Sequence, residues 1–292
     1  MSAAGVQLTW NVVDDVRNAL AYPYMVNAVR AGTIVAIVAA AVGWFMVLRK
    51  ETFAGHTLSV IGFPGGAAAI WVGIGAIWGY FAFCIAGAVV IASMARPTDR
   101  GYHDESAGIG TLQAFALACG FLFAALYGGY SSGFNALLFG SFTGVTNGQV
   151  VTLSLVGVAI LLVLAAIARP LLFASVDPDV AAARGVPVRI LSIAFLVMIG
   201  VAVAAASQIT GSLLVFALLV VPAATAQTLT VRPVAGLCAA IAVGLAITWL
   251  GLGIGYYSAY PFGFWITTIA FAGYVAAHGA RQFARRLVRA SR

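Results

Sequence analysis

Apolar runs of roughly bilayer length alternate with short polar breaks along the whole chain. They occupy about 24 to 48, 60 to 77, 80 to 95, 107 to 127, 148 to 168, 190 to 207, 212 to 229, 234 to 255 and 262 to 279, each close to the ~20 residues that a membrane-crossing helix requires. About nine spans are therefore expected, give or take one. Runs such as ILLVLAAIA, residues 160–168, lack the period-two alternation of a membrane β-barrel. Lipid offers no partner to backbone polar groups, so such runs must close their hydrogen bonds internally as helices. The expected fold is all-α and polytopic. The first run follows a polar leader of about 20 residues and carries no clean cleavage signature, so it reads as a retained span.

The breaks are as informative as the runs. Residues 169–189, RPLLFASVDPDVAAARGVPVR, form the longest clearly polar interruption. Within it, Asp177 can cap a helix and Pro178 suits a first turn, with Asp179 beside it. Ala181, Ala182 and Ala183 are helix formers, and Gly185 followed by Pro187 stops the run. A short helix is expected there, with a plain surface loop as the alternative. Residues 8–23 place Leu8, Trp10, Val12, Val13, Val16 and Leu20 around Asp14, Asp15 and Asn18, the pattern of an interfacial helix. The Gly-, Ser- and Asn-rich stretch at about 128 to 147 is too short to span and has a re-entrant reading. Pro64, Gly65 and Gly66 near the start of the second run, and Pro222 within the seventh, interrupt the helical pattern. Broken helices line substrate routes in transporters, although Gly and Pro are also commoner in membrane helices generally.

Composition agrees with this picture and adds an orientation. The 292 residues are 63% hydrophobic and 8% charged, with mean hydropathy +1.05, against about 25% charged in a soluble domain. With nine spans and the N-terminus outside, Arg49, Lys50, Arg96, Arg100, Arg169, Arg184, Arg189, Arg232, Arg281, Arg285, Arg286, Arg289 and Arg292 fall on the cytoplasmic side. Only Arg17 and Arg30 remain outside, which satisfies the positive-inside rule. The chain thus divides into an outer-surface segment 1–23, a transmembrane domain 24–280 and a basic cytoplasmic tail 281–292. That tail reads as a lipid-headgroup anchor, so the net charge of +7 calls for no nucleic-acid partner. Cys84, Cys119 and Cys238 sit far apart in apolar runs and read as small buried hydrophobes. His103, Asp104 and Glu105 read as a cytoplasmic helix start, and His278 adjoins the basic tail; neither place has the spacing of a structural zinc site. No phosphate-binding loop is present, so any ATP hydrolysis belongs to another chain.

Four segments in order carry a family resemblance: AYPYMVNAVRAG with a span ending VLRK, then FAGHTLSVIGFPGGA, then VDPDVAAARGVPVR, then GSLLVFALLVVPAATA. Together they resemble the zinc/manganese-type ABC importer permease family, from about residue 22 to 280. The resemblance implies a homodimeric permease in the cell membrane, clasped inside by ATPase subunits and fed outside by a solute-binding protein. It implies no tightly bound cofactor, a divalent metal such as zinc or manganese being cargo. Residues 177–187 match the family's cytoplasmic coupling helix, assigning Asp177, Pro178, Asp179, Ala183, Gly185 and Pro187 to ATPase contact.

At the second segment the chain departs from the family pattern G-D-A-x-S-H, in which the Asp and His are metal contacts. Gly55, His56, Thr57, Leu58, Ser59 and Val60 align with it, so His56 takes the Asp position and Val60 the His position. Imidazole suits zinc and copper, whereas carboxylate favours manganese. His56, Ser59, Val60, Pro64, Gly65 and Pro222 are the expected pathway residues, with His56 the candidate metal contact. The bland reading of His56 is an interfacial side chain close to Arg49, Lys50 and Glu51. A permease for an iron chelate or cobalamin is the nearest alternative, although such chains are longer. A receptor or scaffold is a further one, and an intramembrane enzyme is disfavoured because the spans lack paired acids.

Overall fold

The computed structural model describes residues 12–94, 101–127 and 132–290. Arg96, Arg100 and Arg292 of the charge argument lie outside the described residues, as do the side chains of His103, Asp104, Glu105, Arg285, Arg286 and Arg289. Among the described residues there are helices and no strands: α1 (Val12–Leu20), α2 (Pro23–Leu48), α3 (Thr52–Val72), α4 (Ala76–Met94), α5 (Gly101–Leu126), α6 (Ser132–Phe139), α7 (Asn147–Val176), α8 (Pro178–Ala183), α9 (Val188–Leu229), α10 (Pro233–Tyr257) and α11 (Phe262–Ala290). Of these, α2, α3, α4, α5, α7, α9 and α10 are long and apolar enough to cross a bilayer. Seven such helices stand against nine expected spans because α9, with 42 residues, covers two of them and α11 is not among the seven.

Several boundaries move. The second span starts at Thr52 rather than near residue 60, so His56 lies within a helix. Pro64 does not break that helix, which runs on to Val72. It ends on Gly73 in the left-handed conformation, φ 85°, whose N–H reaches back to the carbonyls of Ala69 and Ile70. The N–H of Ile74 bonds the Ala69 carbonyl as well, so the carbonyls at the helix end are satisfied and the chain can turn within three residues into α4. The fifth span continues through Pro170 to Val176, and the basic segment after residue 280 is helical as far as Ala290. Of the three cysteines only Cys84 is buried; Cys119 is half-buried and Cys238 exposed.

The chain forms two compact units. One comprises the described residues of Met1–Trp44, Phe142–Ser154 and Ala217–Arg292. In it α10 lies close to α2, with Gly236 beside the Trp44 ring and Gly244 beside Ala36 and Ala40. At the far end of α10 the Tyr257 hydroxyl donates to the Asp15 carbonyl of α1, 2.7 Å away. The other unit comprises the described residues of Phe45–Ser141 and Leu155–Phe216, and α3 is its buried centre. Small residues make that possible. A Cβ on Gly65 would run into the Gly79 carbonyl, one on Gly87 would stand 2.8 Å from Ile61, and one on Gly120 would stand 2.6 Å from the Phe63 ring. Between helices in lipid, such close approach supplies the dispersion energy that the hydrophobic effect cannot.

Inside the second unit α9 reverses. Its first limb, 188–210, runs alongside α3: Ser192 is bonded to Arg49, and Ser207 lies against Gly62. Gly211 then has φ 74° and ψ 162°, and five residues later Phe216 is back beside His56. The reversal packs against Gly140, itself at φ 77°, where the Ser141 N–H donates to the Ile209 carbonyl at 3.0 Å.

Candidate functional site

His56 stands in the second turn of α3, half-buried, its ring centroid 4.6 Å from that of Phe216 at an interplanar angle of 60°. Its Nδ1 is enclosed and has no hydrogen-bond partner among the described residues. Leaving a buried polar atom unsatisfied costs about 1–3 kcal/mol, so such atoms are rare and mark places where a ligand or water supplies the missing partner. The backbone of His56 is differently engaged, its carbonyl accepting from the Ser59 Oγ at 2.7 Å. That bond uses the Ser59 hydrogen and leaves oxygen lone pairs unassigned. Val60, one turn along from His56, is buried and aliphatic.

Two residues that sequence reasoning missed lie on α9, which packs along α3. Ser207 and Ser212 of α9 are fully or nearly fully buried, and neither Oγ has a hydrogen-bond partner among the described residues. Ser207 Oγ is 3.5 Å from the position a Cβ would take on Gly62, and Ser212 lies one helical turn before Phe216, on the same face. The available signal was hydroxyls flanking a glycine, SQITGS, in an otherwise apolar run. Pro64 has no N–H to offer the Val60 carbonyl four residues back, which leaves another oxygen without its helical bond. Among the described residues no three His, Cys, Asp or Glu side chains converge. What α3 and α9 can offer a cation is thus one imidazole and a set of neutral oxygens.

The other expected pathway residues are placed differently. Gly65 packs against Gly79 and Phe83, and Pro64 lies against Gly120. Both serve the close contact of α3 with α4 and α5. Pro222 belongs to the other unit and packs near Gly244, 3.6 Å from where its Cβ would be.

The segment 177–187 is built as its sequence predicts. Asp177 is extended, φ −147° and ψ 94°, and its Oδ1 accepts from the Val180 N–H at 3.0 Å. Pro178 opens α8, and Gly185 at φ 84° ends the turn, with the Val186 N–H closing back onto the Ala181 carbonyl at 3.0 Å. Ala181 is fully buried and anchors the helix, while Asp179, Val180, Ala182, Ala183 and Arg184 are exposed. A six-residue helix, held at both ends and presenting most of its surface, thus joins α7 to α9.

The sequence profile of the ABC 3 transport family matches residues 21–280 of the chain. The chain belongs to that family. A manganese transport system membrane protein, MntC, of Halalkalibacterium halodurans is 30% identical over 231 residues, 77% of this chain and 76% of its own length. A manganese import system permease protein, ScaB, of Streptococcus parasanguinis is 30% identical over 235 residues, covering 80% and 82%. Among solved structures, PsaBC from Streptococcus pneumoniae in complex with Fab superposes with TM-score 0.80 at 26% identity, over 91% of this chain and 95% of that one. This ABC 3 family member is a polytopic, all-α membrane transport permease.

Proposed function

We propose that the chain is the membrane subunit of an ATP-driven importer of a divalent metal ion, manganese or zinc, with hydrolysis carried out by separate ATPase chains docked on α8. The observation that carries this reading is α8 itself: a capped helix, anchored by one buried alanine and otherwise exposed, set between two long apolar helices. The relatives named for manganese transport supply the cargo class, and His56 with the surrounding hydroxyls supplies ligand atoms that such a cation accepts. An external solute-binding protein and a second copy of the chain complete the proposed importer. The cytoplasmic side is the one bearing α8, and the N-terminus is outside.

The coupling role is tested at Gly185. A side chain there has open space around it, since nothing lies within 4 Å of a Cβ, but it must adopt φ 84°. Gly185→Leu is therefore expected to insert and assemble normally while distorting the end of α8, reducing ATP-driven manganese or zinc uptake in liposomes at least about fivefold, given ~1 kcal/mol of left-handed strain. Undiminished uptake with the ATPase still bound would remove α8 from the coupling path.

Orientation is tested by Ser2→Cys and Ser291→Cys, both positions outside the described residues. An impermeant thiol reagent applied to intact cells is expected to label the first and spare the second, after Cys84, Cys119 and Cys238 have been replaced. The reverse pattern would invert the topology.

A further inference from the structure

We propose that Arg49 is the positioning residue that carries movement of the coupling helix to the helix bearing His56. The inference rests on the importer reading above and concerns a residue that the sequence offered only as a topological charge.

Arg49 is the first residue after α2, and its side chain is 9% exposed. Its guanidinium reaches three places at once. Nε donates to Glu51 Oε1 at 2.9 Å, Nη2 donates to Ser192 Oγ at 2.7 Å, and Nη1 donates to Ser175 Oγ at 3.5 Å. The face of the group also lies over the Phe195 ring, 5.5 Å from its centroid. Ser175 hands its own hydrogen to the Leu171 carbonyl, so its oxygen is presented to Arg49 as an acceptor. A planar fork with five donors can satisfy partners in several directions, which a lysine ammonium on a flexible stem does not reproduce.

The partners define the role. Ser175 lies near the end of α7 and Ser192 near the start of α9, and these are the two helices that α8 joins. Any displacement of α8 moves both ends, and both are bonded to the same guanidinium. Glu51 immediately precedes α3 in the N-cap position, where a carboxylate ordinarily accepts from the first-turn N–H groups. It makes no such cap bond and instead accepts from Arg49. The intervening Lys50 has φ 61°, an uncommon conformation for a residue with a side chain. Contacts on both flanks hold it there: the Lys50 N–H bonds the Val47 carbonyl, and the Glu51 N–H bonds the Met46 carbonyl. The turn is thus stiff, and α3 follows from it without slack. His56 is four residues beyond the first residue of α3. A pull on Arg49 from the ends of α7 and α9 rotates or shifts the base of α3 and with it the imidazole. Coupling through a contiguous hydrogen-bonded network of rigid elements needs no longer path than this.

The test uses the full chain assembled with its ATPase subunits in liposomes, counting Mn²⁺ or Zn²⁺ ions imported per ATP hydrolysed, in Arg49→Gln, Ser192→Ala and the double variant. Arg49→Gln is expected to lower that ratio at least tenfold while the ATPase still binds and hydrolyses. Ser192→Ala is expected to lower it a few-fold, and the double variant to match Arg49→Gln alone, because the serine acts only through the arginine. A normal ratio in Arg49→Gln overturns the proposal, as does a double variant in which the two losses multiply. If Arg49→Gln fails to assemble, Ser192→Ala decides: a reduced ratio supports the role, and a normal one makes Arg49 merely structural. A wild-type chain that shows no ATP-driven uptake would instead overturn the importer reading.

Discussion

Gly211→Ala is expected to cut recovery of correctly folded permease at least about tenfold. At φ 74° and ψ 162°, Gly211 occupies a region of backbone space that is essentially closed to residues with a Cβ. Strain of this kind costs about 1–3 kcal/mol. The new methyl would also stand 2.5 Å from the Leu138 carbonyl oxygen and 2.6 Å from the Phe139 carbonyl carbon, backbone atoms that cannot rotate aside. The reversal of α9 depends on this close meeting with Gly140, so relief requires pulling the turn at Gly211 away from the end of α6. Since each 1.4 kcal/mol is about a factor of ten in an equilibrium constant, monodisperse protein extracted in mild detergent should fall at least about tenfold. Gly253→Ala is the matched control. It lies within α10 with nothing within 4 Å of a new Cβ, and its yield should equal the wild type. Normal yield of Gly211→Ala would mean that the turn does not need glycine.

His56→Ala should lower manganese and zinc uptake at least about tenfold, the effect of losing one charge-assisted ligand contact worth some 1.5–3 kcal/mol, with no loss of assembled protein. The two readouts separate function from structure. Removing an enclosed nitrogen that has no hydrogen-bond partner among the described residues relieves a penalty, which offsets the loss of the ring contact with Phe216, worth about 0.5–1.5 kcal/mol. A stability change near zero is therefore expected alongside the transport defect. Val60→His makes the complementary change. It sets a second imidazole four residues from His56, on the same helix face. Histidines at that spacing can ligate one zinc ion together. Zinc should then bind more tightly and leave more slowly, so calorimetric affinity rises as turnover falls. Should His56→Ala carry both metals at the normal rate, the imidazole is a packing residue and the cargo passes elsewhere.

Much of this molecule is written locally. Apolar runs must become helices in lipid wherever they occur, so the all-α polytopic fold followed from hydropathy alone. The short helix at 177–187 was equally legible: an Asp cap, a first-turn Pro, three alanines and a stopping Gly act within one or two helical turns, and Asp177, Pro178 and Gly185 adopt those roles in the structure. The start of α3 was not legible. Thr52 to Ser59 mixes polar and apolar residues, and it is helical because burial among α4 and α5 rewards closing the backbone bonds there. Gly211 lies in the short polar break SQITGS between the sixth and seventh runs, so a turn was legible there, but its close meeting with Gly140 and the return of Phe216 to His56 were not. The polar atoms that give the site its chemistry come from segments remote in sequence. His56 meets Phe216 only through that reversal, and Arg49 finds Ser175 and Ser192 across 126 and 143 residues. Hydropathy and capping act over a few residues and can be read in order, whereas these pairings exist only once α3, α7 and α9 have packed together.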